Sequence, residues 1–335
     1  MHNKGDGTLQ ELLIVENLKT YFFTRRGVAK AVDDVSFSVG KGETLGLVGE
    51  SGCGKSVTLL SILRLVSEPA GRIVGGKVLL EGENLLEKSL PEMRKIRGRK
   101  VAMIPQDPMT SLDPVFTICS QLSETIKLHQ HLRGREVRDK ATEILRLVRI
   151  PSPEERLRTY PHQLSGGMRQ RVVGSIALSC QPVLILADEV TSALDVTIQA
   201  EYLALLKDIQ QRLGVGLIFV THDFGIVEHM CDKVAVMYAG KIVEQAPVRE
   251  LFDSPRHPYT IALMRSVPKV EEKRDRLVGI QGQPPPLYDL PPGCSFLPRC
   301  PVGAKQCEAS PPQVMVKEGH WMSCWIGSRG DGHSA

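Results

Sequence analysis

The chain has 335 residues, 42% hydrophobic and 24% charged, with a formal net charge of +4. That is enough apolar material for one large domain with an appendage, or for two domains. So small a positive balance, with no dense lysine/arginine stripe, argues against nucleic-acid binding, and no stretch approaches 18 consecutive apolar residues.

Residues 1–10 are polar and are expected to fray. Short apolar or alternating pieces, Ile14 to Phe23 and Ala31 to Val39, flank Thr24-Arg25-Arg26-Gly27 and predict antiparallel strands joined by a turn. The buried-strand pattern Thr44–Val48 leads into Gly49-Glu50-Ser51-Gly52-Cys53-Gly54-Lys55-Ser56, and Val57 to Leu63 then opens a helix. This is the G-x-x-x-x-G-K-S phosphate loop in full. Glycines let the backbone N–H groups curl toward phosphate oxygens, and the helix start adds a favourable field. Lys55 would reach the β- and γ-phosphates, and the Ser56 hydroxyl would ligate magnesium. A bare glycine-rich turn would not explain Lys55-Ser56.

Val78-Leu79-Leu80, bounded by Gly75-Gly76 and Gly82, predicts a further short strand, and Val101–Ile104 another that ends in Pro105-Gln106-Asp107-Pro108. From about 115 to 162 the pattern is helical, with Val137, Ala141, Ile144, Leu145 and Val148 on one face. Leu164-Ser165-Gly166-Gly167-Met168-Arg169-Gln170 is a second helix start suited to phosphate. Val183–Ala187 is a continuous buried strand ending in Asp188-Glu189. Asp188 is placed to hold the magnesium shell, and Glu189 to polarise an attacking water. Ile198 to Leu213 reads as a helix and Val215–Val220 as a strand before Thr221-His222. Val234–Tyr238 with Gly240–Val243 suggests a closing hairpin. Strands alternating with helices, polar groups at their carboxyl ends, predict a mostly parallel sheet with the active crevice there. Two separate phosphate-suited helix starts suggest a head-to-tail dimer, each ATP lying between the Lys55 loop of one protomer and the Ser165 loop of the other.

Beyond about residue 245 prolines interrupt short amphipathic pieces, and Pro284-Pro285-Pro286 and Pro291-Pro292-Gly293 deny regular structure. Cys53, Cys119, Cys180 and Cys231 read as buried small hydrophobes. Cys294, Cys300, Cys307 and Cys324 are crowded at C-x5-C-x6-C-x16-C. In a cytosolic protein such crowding favours metal or cluster ligation over disulfides. Iron–sulfur and zinc share this ligand set, the gaps are wider than in zinc hairpins, and inert or redox-labile thiols are the third reading. His320 is either a competing ligand to Cys324 or a solvated side chain.

In this order the motifs resemble the ATP-binding subunit of an ABC transporter over roughly residues 12–245. The resemblance implies an α/β phosphate-loop NTPase of ABC type: a mixed-sheet core, an antiparallel β subdomain, a helical subdomain at about 112–168 and a C-terminal extension carrying the cysteines. It implies a nucleotide-binding domain at 10–250 and an extension at 251–335. Ser165, Gly166, Gly167 and Gln170 match the signature loop, and Asp195 the loop that crosses the dimer interface. Gln106 matches the glutamine that senses magnesium and contacts the membrane partner. His222 matches the switch histidine, and Phe22 the aromatic that stacks on adenine, with Tyr21 and Phe23 as neighbouring candidates. Glu189, His222, Lys55 and Gln106 are then the expected catalytic set, and Gly49 to Val57 the phosphate cradle. Magnesium falls to Ser56, Gln106 and Asp188. Val190 departs from the proline usual after the catalytic glutamate, which should loosen that segment.

The tail motifs His257-Pro258-Tyr259-Thr260, Leu263–Pro268 and Gly293–Pro301, with Gln106–Pro114, resemble oligopeptide and dipeptide importers of the DppD/OppD type. That resemblance implies a 4Fe-4S cluster on the four tail cysteines, with zinc as the alternative. It also implies a second homologous ATP-binding subunit in a heterodimer, two transmembrane permease subunits and an extracytoplasmic peptide-binding protein. The location implied is peripheral, at the cytoplasmic side of the cell membrane. Nickel or oligosaccharide import, a soluble ABC ATPase of DNA repair or translation, and a non-hydrolysing regulatory or scaffold protein are the competing readings.

Overall fold

The computed structural model describes residues 11–266 and 279–325. The first ten residues, which were expected to fray, and the Val267-Pro268 end of one tail motif lie outside the described residues. Among the described residues two compact units form, one from 11–13, 38–44 and 80–219, the other from 14–37, 45–79, 220–266 and 279–325.

In the first unit the strands Val101–Ile104 and Leu184–Asp188 pair in parallel, Ile104 opposite Ala187. Both are almost wholly apolar and buried, as a strand covered on two faces requires. Helices Ile118–Gln130 and Arg135–Leu147 follow in the expected helical region, and the second buries Val137, Ala141, Ile144 and Leu145 along one stripe. Helices Gly166–Leu178 and Val196–Leu213 complete the unit.

In the second unit residues 14–24 and 27–37 of the strands Glu11–Thr24 and Gly27–Gly40 form the predicted hairpin, its turn tied by Thr24 Oγ1, which donates to the Gly27 carbonyl at 2.8 Å. The strand after the phosphate loop is longer than expected. It spans Gly71–Leu80 and runs through Gly75-Gly76 instead of starting there. Leu45–Val48 pairs in parallel with Lys233–Tyr238, which pairs antiparallel with Lys241–Pro247, so the sheet is mixed.

The second hairpin does not close that sheet. His320–Ser323 pairs antiparallel with Lys241–Pro247, and Gln313–Lys317 with His320–Ser323. Edge strands with unmet N–H and C=O groups attract further strands, and here the tail supplies them. His320 also departs from expectation. It is fully buried, its Nε2 is 2.8 Å from the equally buried Glu244, and Glu244 also accepts from the N–H groups of Arg256 and His257 at 2.7 and 2.9 Å. It is neither solvated nor a ligand.

Candidate nucleotide-binding and hydrolysis site

The phosphate loop takes the curled form its glycines were expected to give. Gly49 and Gly54 adopt φ of 153° and 113°. A Cβ on either would sit 2.1 Å from a backbone oxygen, that of Met237 or Ala31. No other residue fits these positions. Gly54 caps the helix Lys55–Ile62, whose first turn closes through Thr58 N–H to the Gly54 carbonyl at 2.9 Å. Lys55 is 4% exposed, and its Nζ donates to the Gly49 and Glu50 carbonyls at 2.8 and 3.0 Å. The ammonium is therefore held within the loop's own curl. Cys53 is buried, and burial raises its thiol pKa, which fits a packing role.

In the first unit the parallel register brings together two of the expected site residues at the strands' carboxyl ends. Two residues beyond Ile104 and two beyond Ala187, Gln106 Nε2 donates to Glu189 Oε2 at 3.4 Å. Asp188 is buried at the strand end, and Glu189 takes a left-handed backbone, φ 44°. That conformation is uncommon for a residue with a Cβ and is typical of positions held for function. Val190 is buried, and Ser192 N–H to Glu189 O and Leu194 N–H to Thr191 O, both at 3.1 Å, pin the segment.

Ser165 caps the helix Gly166–Leu178, its Oγ accepting from Met168 N–H at 3.3 Å. A Cβ at Gly167 would meet Ile198 Cγ2 at 2.6 Å. Gly166 has open space where a Cβ would be, so the helix start carries no side chain there, while Gly167 is packed against Ile198. Gln170 lies elsewhere: it is 1% exposed, in the interior, and its Nε2 has no hydrogen-bond partner. Asp195 caps Val196–Leu213 by accepting from Ile198 N–H at 3.0 Å. Beyond Gln106, Met109, Val115 and Phe116 are exposed apolar side chains.

In the second unit His222 is exposed just past the strand Gly216–Thr221. Phe22 is half-buried, and its ring edge lies where a Cβ on Gly71 would be, 2.8 Å away. Tyr21 points to other partners: its hydroxyl donates to Asp33 at 2.6 Å, and burial followed by that carboxylate pushes its pKa up to about 12. Phe23 is exposed, with the Arg72 guanidinium 5.6 Å from its ring.

The four tail cysteines line one cavity together with His257, Phe296 and Trp325. None forms a disulfide. Burial raises the Cys294 thiol, and that of Cys300 to about 11, with the neighbouring thiols adding to both. Among the described residues no group of three or more His, Cys, Asp or Glu side chains is placed to hold a metal ion. His257 is buried, its Nδ1 accepting from Tyr259 N–H at 3.1 Å, and desolvation lowers its pKa from 6.5 to about 4. The folded chain thus resists a proton that the unfolded chain accepts. Stability contributed by neutral His257 is present above pH 6.5 and is lost as pH falls toward 4, by about 3 kcal/mol. Denaturant melts of wild type and His257→Gln between pH 7 and 4.5 check this. Wild type should lose more stability than the variant over that range.

Residues that the sequence motifs left without a role also meet the loop. Glu50 is held by Arg299 and Tyr259, 249 and 209 positions away. The signal was present only as Pro298-Arg299-Cys300 and Pro258-Tyr259 within the tail motifs.

Comparison with known proteins matches residues 32–192 to the ABC transporter family and residues 243–307 to the oligopeptide/dipeptide transporter C-terminal region. The chain is 50% identical over 316 residues to the probable peptide ABC transporter ATP-binding protein y4tR of Sinorhizobium fredii, covering 94% of each. It is 46% identical to the oligopeptide transport ATP-binding protein AppD of Bacillus subtilis, covering 95% of this chain and 97% of that one. Among solved structures, the dimeric ATP-binding cassette MJ0796, in a post-hydrolysis state with ADP and Pi, superposes with a TM-score of 0.64 at 26% identity. It covers 71% of this chain and 99% of that one.

Proposed function

The chain belongs to the ATP-binding subunits of bacterial ABC transporters and is an ATPase, and from that premise we propose that it powers uptake of short peptides. The observation that carries the peptide reading is the match over residues 243–307 to the oligopeptide/dipeptide C-terminal region, beside relatives named for peptide transport. The nucleotide-binding domain is assigned to 10–250 with its helical part at about 112–168, and the extension to 251–335.

Lys55 and the inward amides of Gly49–Val57 bind the β- and γ-phosphates, and Phe22 stacks on the base. Ser56 and Asp188, with Gln106, would hold magnesium, which supplies charge neutralisation at the phosphates. Glu189 takes the proton of the attacking water as its oxygen bonds to the γ-phosphorus and the bridging oxygen leaves with ADP. His222 supports Glu189 and the γ-phosphate. Ser165, Gly166 and Gly167 serve the nucleotide of a second, homologous subunit in a heterodimer, with Asp195 at the crossing loop. Gln170, being interior, contributes through packing.

No helix among the described residues is long and apolar enough to cross a membrane. By the resemblance to peptide importers, attachment to the membrane is through two permease subunits, and the exposed Met109, Val115 and Phe116 beyond Gln106 are suited to receive them. An extracytoplasmic peptide-binding protein delivers cargo to the permeases from the outer side, while this subunit is peripheral at the cytoplasmic side of the membrane. Phe116→Asp is expected to reduce recovery of the permeases in detergent pull-downs at least fivefold, by placing a charge in an apolar contact. Undiminished recovery would move the contact elsewhere.

Cys294, Cys300, Cys307 and Cys324 are free thiols lining one cavity, and four thiolates are the donor set that a 4Fe-4S cluster would take. Zinc is the alternative. The cluster would supply cross-links within a proline-rich segment. Anaerobic purification should give a broad absorption near 400 nm with iron and sulfide. Zinc without sulfide would overturn the cluster.

Transport assays on the reconstituted complex with its receptor test the cargo. ATP turnover stimulated by receptor loaded with di- or oligopeptide is the expected result. Stimulation only by nickel- or oligosaccharide-loaded receptor would assign the other cargo.

A further inference from the structure

The C-terminal extension grips the phosphate loop at a single residue. Arg299 donates through Nη1 and Nη2 to Oε2 and Oε1 of Glu50 at 2.6 and 3.0 Å, a two-pronged ion pair in which the Arg299 side chain is 3% exposed. The Glu50 N–H donates to the Tyr259 hydroxyl at 2.9 Å, and its carbonyl accepts from Lys55. Every polar group of Glu50 is thus committed within the protein. Arg299 is itself braced. Its Nε donates to the Gln281 carbonyl at 3.0 Å, Nη1 reaches the Tyr238 hydroxyl at 3.3 Å, and its guanidinium lies 5.8 and 6.0 Å from the Tyr238 and Phe296 rings. Those rings and that of Tyr259 pack on each other at 4.6, 5.2 and 5.3 Å between centroids.

Glu50 is the second residue of a loop whose task is to receive a polyanion. A free carboxylate there has the wrong sign, and one unit charge a few ångströms from a phosphate changes affinity by roughly tenfold or more at the dielectric of a protein surface. Arg299 cancels that charge, and its planar fork fixes the direction in which the carboxylate points. We infer that Arg299, with Tyr259, is a positioning residue for ATP: the tail neutralises and orients Glu50 so that the loop accepts the triphosphate. Arg299 touches no substrate and acts only through Glu50. This rests on the phosphate-loop assignment of Gly49–Ser56 above.

The test is steady-state hydrolysis by the full-length chain in its assembled complex, as wild type, Arg299→Gln, Arg299→Lys and the double variant Arg299→Gln/Glu50→Gln. Arg299→Gln should raise KM for MgATP roughly tenfold while kcat changes less than about threefold. Removing the orphaned carboxylate in the double variant should recover most of that loss. Arg299→Lys, which keeps the charge and loses the fork, should fall between. A tail that is merely fastened by this ion pair predicts lower melting temperatures in both glutamine variants and no recovery of KM. An unchanged KM in Arg299→Gln, or a double variant no better than the single, overturns the inference. Should Arg299→Gln fail to fold, the double and lysine variants decide: a double variant with KM still raised tenfold, or a lysine variant at the wild-type KM, overturns it. Lys55→Ala separates the two levels. Hydrolysis surviving Lys55→Ala would overturn the phosphate-loop reading, whereas its loss beside an unchanged KM in Arg299→Gln overturns only the role of Arg299.

Discussion

Glu189→Gln is expected to keep MgATP binding within about threefold of wild type and to cut turnover by roughly 10²- to 10⁴-fold. Glutamine preserves the size of the side chain and a polar contact to Gln106, which lies 3.4 Å away, but it cannot take a proton from water. The backbone at Glu189 is already held left-handed, and the following turn is pinned by two hydrogen bonds, so the change in geometry should be small. Phosphate release and nucleotide binding measured on the same preparation separate chemistry from affinity. Turnover equal to wild type would remove Glu189 from the role of base.

Lys55→Ala should have the largest effect on binding. Its ammonium is buried and held by two loop carbonyls, so its loss removes the positive charge from the centre of the curl and releases the loop from its own clamp. Charge-assisted hydrogen bonds contribute about 1.5–3 kcal/mol each, so affinity for MgATP should fall at least ~100-fold. Titration with a fluorescent ATP analogue reads this directly. Affinity within threefold of wild type, in a variant with an unchanged circular-dichroism spectrum, would contradict the assigned site.

The phosphate loop, the Asp188-Glu189 strand end and the amphipathic helix at Arg135–Leu147 were legible in the sequence because each is local. Glycine, lysine and serine at fixed spacing, or an apolar stripe at helical period, dictate their own geometry. What was not legible depends on distant partners. Gln313–Lys317 has the alternating exposure of an edge strand, but in a proline-rich context its pairing is set by Lys241–Pro247, about 70 positions upstream, through His320–Ser323. His320 was expected to be a ligand or solvated, and the buried carboxylate of Glu244, 76 positions away, decided otherwise. Gln170 sits in a motif associated with nucleotide, but helical phase turns it inward. The pairing of Arg299 with Glu50 spans 249 positions, and no periodicity could announce it.

In the proposed heterodimer the Lys55 loop holds this chain's own nucleotide, while its Ser165 helix start meets the nucleotide of the other subunit. Light scattering on the Glu189→Gln chain mixed with its homologous partner subunit tests this most directly. At saturating MgATP a stable two-subunit particle should form and dissolve when nucleotide is removed. Separate monomers at saturating MgATP would contradict it.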